Sequence, residues 1–259
     1  MNRLERGHRL GGVLALVLTV AVGCGPDAET KRPPEKEPDA LHSVRMAQSL
    51  FRAGRVSEAL AALDEGIARE PDNASLHSYY GLLCLQSGRL ESAVGACQRA
   101  LEIDPHLTDA HNVLGTVYVE LGRFADAEQQ FQQALEDSAY PTPEKVYLNL
   151  GLLYDSQGRD REAVESFRKS VGIDPQYYKA HFHLASTLDR IGNLVEAARE
   201  YEVAEPAFQN DGEYWYRRGF TYYRLGHAGR ALESLHHVRI VAPGSESAAR
   251  ADELLALMD

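Results

Sequence analysis

The chain has 259 residues, 44% of them hydrophobic and 25% charged, which puts it in the globular range and excludes a disordered or low-complexity protein. Its formal net charge is −11, so a nucleic-acid partner is not expected.

The first 23 residues divide into a basic start (Arg3, Arg6, Arg9), an apolar run from Leu10 to Val22 and small residues before Cys24, the layout of an export signal. At ~1.5 Å per residue the run reaches roughly 20 Å, short of a ~30 Å hydrocarbon core, so a permanent spanning helix is the weaker reading. The stretch Ala21-Val22-Gly23-Cys24 resembles the bacterial lipobox, which implies that Cys24 is diacylated and becomes the mature N-terminus. Several acyl chains on one cysteine would anchor the protein stably. The same resemblance to Gram-negative lipoproteins favours the periplasmic face of the outer membrane, because Gly25 is not the aspartate associated with inner-membrane retention. Loss of residues 1–23 removes three arginines and one glutamate and moves the net charge from −11 to −13. Residues 24–39 carry four prolines among mixed charges and read as a tether.

From residue 40 onward the sequence repeats. Small residues recur at Ala47, Gly81, Gly115, Gly151, Ala185 and Gly219, with separations of 34, 34, 36, 34 and 34. Glycines follow in register at 54, 88, 122, 158, 192 and 226, then alanines at 59, 93, 127, 163, 197 and 231, and prolines close four units at 71, 105, 175 and 243. Each unit reads as an apolar helix, a glycine stop, a second helix and a breaker. The small residue of the first series lets the two helices of a hairpin approach closely. The predicted units are 40–73, 74–107, 108–143, 144–177, 178–211 and 212–244. In the third, Ser138 to Pro143 holds two prolines and predicts an extended corner. Residues 245–259 predict a last amphipathic helix that starts at Ser245 or Ser247 and covers the final apolar edge.

These series resemble the tetratricopeptide repeat, with the set Gly151, Tyr154, Ala163, Phe167, Ser170 and Pro175 nearly complete in the fourth copy. The resemblance implies an all-α, right-handed superhelical solenoid of six hairpins plus a C-terminal capping helix. It also implies that first helices line the inner face. The groove residues it marks are Val44, Phe51, Leu82, Leu85, Asn112, Val119, Lys145, Leu148, Leu152, Phe182, Tyr216, Phe220 and Tyr223. Exposed apolar surface of this extent suits an amphipathic helix or an extended peptide. A clamp for a C-terminal carboxylate is not expected, since only Asn112 and Lys145 stand near suitable places.

No nucleophile, acid–base pair, phosphate loop or metal cluster has usable spacing, so no enzyme activity, cofactor, metal or small-molecule substrate is expected. His77, His111 and His181 share one repeat position and would sit roughly 10 Å apart in successive hairpins, which suits packing better than metal binding. Cys84 and Cys97 fall on the two helices of the second hairpin, and they read either as buried small hydrophobes or as a disulfide if their Cα atoms lie within ~7 Å. A lipobox ahead of six such repeats resembles the pilotin lipoproteins of type IV pilus systems, which implies a secretin subunit as partner. The stretch from Tyr140 to Gly151 adds to that likeness. An adaptor for cell-wall hydrolases or for outer-membrane protein assembly is the competing reading.

Overall fold

The computed structural model describes residues 39–258, so the export signal, Cys24 and nearly all of the tether lie outside the described residues. Thirteen α-helices and no strand occur among the described residues. They pair as hairpins: α1 (Asp39–Arg52) with α2 (Val56–Arg69), α3 (Ala74–Gln86) with α4 (Leu90–Ile103), and α5 (Thr108–Glu120) with α6 (Phe124–Ala134). The next three are α7 (Pro143–Ser156) with α8 (Asp160–Ile173), α9 (Tyr178–Arg190) with α10 (Leu194–Phe208), and α11 (Gly212–Arg224) with α12 (Ala228–Val241). The solenoid of six hairpins ends on α13 (Glu246–Ala256), which packs against α11 and α12.

The turn within each hairpin follows from one residue. Gly158 has φ +69°, a left-handed conformation that a Cβ disfavours, and there it ends α7. Its N–H donates to Asp155 O and the N–H of Arg159 donates to Tyr154 O, the paired bonds of a Schellman stop. The five equivalent glycines repeat this geometry.

The close approach of paired helices rests on the other small-residue series. A Cβ added to Gly151 would come within 2.5 Å of Phe167 Cε1, and one on Gly115 within 2.6 Å of Phe131 Cε1. Phe131 and Phe167 are fully buried, so each glycine is the socket for the aromatic ring of the opposing helix.

A ring nitrogen fastens each of four first helices to the loop before it. His77, His111 and His181 place Nε2 at 2.9, 3.0 and 3.2 Å from the carbonyl oxygens of Pro71, Pro105 and Pro175. Trp215 stands at the same repeat position and donates Nε1–H to Gln209 O at 2.9 Å. The shared histidine position is therefore a packing device. No group of three metal-ligating side chains occurs among the described residues.

The third hairpin departs from the others. Its α6 has 11 residues where α4 and α8 have 14. The chain then runs as turns from Leu135 to Thr142 before Pro143 opens α7 at its first position, where a missing N–H costs nothing. At the far end Ser245 caps α13 by accepting from the N–H of Ala248 at 3.1 Å.

Candidate protein-binding groove

Successive first helices (α1, α3, α5, α7, α9, α11) pack backbone against backbone, whereas second helices do not approach so closely among the described residues and meet there through long side chains, as Arg168 with Glu196 and Arg230 with Glu202. First helices thus lie on the inside of the curve, and their free side chains line the inner face.

Between the first four hairpins this face opens into a cleft of about 480 Å³. Of the residues expected in the groove, the structure brings Val44, Leu82, Asn112 and Lys145 together there, beside Tyr79 and Tyr140. Tyr140, from the irregular corner after α6, and Tyr79 were not among the expected groove residues. The Tyr140 hydroxyl donates to Asp109 Oδ1 on α5 at 2.7 Å, which holds the ring as a wall of the cleft. Burial, aided by Asp109, pushes its pKa up to about 12, so the phenol remains a donor. Asn112 accepts a hydrogen bond from Asn149 at 2.9 Å, which fixes the amide on the cleft floor. Lys145 is exposed at the lip, with no acid in ion-pairing range among the described residues.

The twelfth position of each first helix divides the inner face in two. Hairpins one to three place Phe51, Leu85 and Val119 there, all half-buried and packed on the core. Hairpins four and five place Asp155 and Asp189 there instead. Asp155 accepts from Thr187 at 2.9 Å and pairs with Arg190, and Asp189 accepts from Thr221 at 3.0 Å and pairs with Arg224 at 2.9 Å. Arg190 also reaches Asp160 at 2.6 Å. These bonds join neighbouring hairpins into an ionic ladder, and the four side chains were missed although their register announces them.

Other expected residues fall differently. Leu148 does not line an open groove: it is 2% exposed and belongs to the core, where the tightly packed hairpins around α7 cover it. Leu152 is half-buried against the same core. Phe182 stacks on Phe208 at 4.8 Å and meets Tyr201 edge-on at 6.1 Å, so its ring joins an aromatic cluster between hairpins. Tyr216 stacks with Phe220 at 6.1 Å, and the Arg250 guanidinium of α13 covers it at 3.9 Å. Tyr223 is 38% exposed. Cys84 and Cys97 are fully buried free thiols and form no disulfide in the structure. Burial pushes the Cys97 thiol up to about 12 and the Cys84 thiol upward, which keeps both protonated and unreactive.

A solenoid of glycine-stopped hairpins whose first helices line an inner face defines the class of protein: a repeat scaffold that binds other polypeptides. The tetratricopeptide repeat family matches residues 44–107 and 112–178, just over half of the chain, and a second version of the repeat matches 84–139. The chain belongs to the tetratricopeptide-repeat family. Its fold is similar to that of PilW, a widely conserved type IV pilus biogenesis factor, with a TM-score of 0.74 and 22% identity over 83% of this chain and 98% of PilW. It is also similar to PilF of Pseudomonas aeruginosa, with a TM-score of 0.75 and 19% identity over 85% and 97% of the two chains. Among curated proteins, the probable biofilm formation methyltransferase WspC of Pseudomonas putida is 40% identical over 70 residues, 27% of this chain and 16% of WspC. The chain therefore spans a small fraction of that relative's length.

Proposed function

We propose that this protein is a lipid-anchored, non-enzymatic scaffold for type IV pilus biogenesis. In this reading Cys24 carries the acyl anchor at the periplasmic face of the outer membrane, and the inner face of the repeats holds a segment of a secretin subunit while the ring assembles. The observation that carries it is the likeness of the whole repeat array to PilW and PilF, over 83% and 85% of the chain and nearly all of both neighbours. The apolar cleft on the inner face supplies a place for the partner.

Deletion of the gene tests it. The expected result is loss of twitching motility with the secretin left monomeric. Normal motility with a fully assembled secretin overturns the reading, and altered cell shape or porin levels in such a strain point to the adaptor role. A Cys24→Ala change is expected to release the protein from membranes; continued fractionation with the outer membrane sinks the anchor.

A further inference from the structure

The inner face is chemically divided, and the division says where a partner docks and what it carries. In hairpins four to six Asp155 pairs with Arg190 and Asp189 with Arg224 across the hairpin junctions. A ligand there would have to break paired charges, and removing one member of such a pair leaves the other uncompensated. In hairpins one to four the same face offers apolar walls from Val44, Tyr79 and Leu82, and a volume of about 480 Å³, within the range of ligand-sized pockets. That space holds a bulky side chain and the backbone next to it.

The charges at the cleft are unequal in availability. Asp109 already accepts from Tyr140, whose raised pKa keeps the donor in place. Lys145 has no such partner among the described residues and stands exposed on the lip. A group entering the cleft thus meets a spoken-for carboxylate and an available ammonium, which favours an acidic neighbour over a basic one. The wall itself depends on the two extra residues of the third repeat: the 36-residue spacing lengthens the corner after α6 and drops Tyr140 into the inner face.

We infer that the cleft between hairpins one and four takes a partner segment in which a bulky apolar side chain stands beside an acidic side chain, with Tyr140 setting the fit and Lys145 reading the charge. This rests on the scaffold reading above and narrows it to one half of the groove. The test uses the full purified chain and short, N-acetylated, C-amidated, fluorescein-labelled peptides of glycine and serine carrying one Trp, with Glu, Gln or Lys two residues away. Capping removes the terminal charges, so only the chosen side chain differs. Anisotropy titration is expected to rank Glu above Gln above Lys, with Glu and Lys separated by about fivefold or more. Lys145→Glu, at an exposed position that leaves folding intact, is expected to reverse the order. Tyr140→Ala is expected to weaken the Glu peptide about tenfold, and Tyr140→Leu, which keeps an apolar wall, to weaken it less. Equal binding of the three peptides, or an unchanged order in Lys145→Glu, overturns the inference. If Phe220→Asp abolishes binding and Leu82→Asp does not, the scaffold reading stands and the assignment to this cleft falls. If the peptides rank as expected but the deletion strain assembles its secretin normally, the cleft chemistry stands and the pilus role falls.

Discussion

At the scale of single residues, position in the repeat decides what a side chain does. The ring nitrogens of His77, His111, His181 and Trp215 all tie a first helix to the preceding loop, although one of the four is a different amino acid. Trp215→Phe keeps an aromatic side chain but strips the donor from Gln209 O and leaves part of the buried indole's space empty, and is expected to cost about 1–3 kcal/mol in urea denaturation. Gly151→Val would force its side chain into Phe167 and is expected to cost about 1–3 kcal/mol or more, read the same way. His183 carries a pH dependence. It packs against Phe167 and Phe182, and burial first, then Lys179, pushes its pKa down to about 4. Below the ordinary value of ~6.5 the unfolded chain binds a proton that the folded chain refuses, so this contribution is complete above ~6.5, falls as pH drops toward 4 and then levels off. The loss is at most about 3 kcal/mol. Urea midpoints measured across that window are expected to fall with pH in the native chain and to fall less in His183→Gln.

At the scale of elements, α13 and the hairpin junctions carry separable loads. Helix α13 buries Ala248, Ala251, Leu254 and Leu255 against the last hairpin. Ending the chain after Gly244 is expected to cost about 3–6 kcal/mol from the two leucines alone. Trp215, the single tryptophan, lies in that hairpin. Its emission is expected to shift red in the truncated chain, with a fluorescence midpoint below that of circular dichroism; coincident midpoints would contradict local unfolding. Asp155→Ala removes the acceptor of Thr187 and the partner of Arg190 and is expected to cost about 1–2 kcal/mol, while peptide binding at the cleft is unchanged. The helices themselves were legible in the sequence because glycine stops and small-residue sockets return at a fixed interval, and each has one local physical cause. The short α6 was less legible. Two prolines in Ser138 to Pro143 announced a corner, but which way Tyr140 turns depends on Asp109, thirty-one residues earlier. Leu148 illustrates the same limit: the register puts it at a lining position, and only the packing around α7 closes it off.

At the scale of the whole array, stability comes from neighbour to neighbour, as in any quasi-one-dimensional stack. Contacts between first helices and the ladder of Asp155, Thr187, Asp189 and Thr221 hold the inner edge. The second helices lie further apart and are tied by exposed ion pairs, Arg168 with Glu196 and Arg230 with Glu202. A body closely packed along one margin and only loosely tied along the other behaves like a hand fan on a slack cord: its ribs can spread or close by small rotations about the packed margin. The cleft is walled by side chains that project from that margin, so the same small rotations would tilt its walls without unfolding a helix, and a cross-link between α4 and α6 would hold it at one aperture.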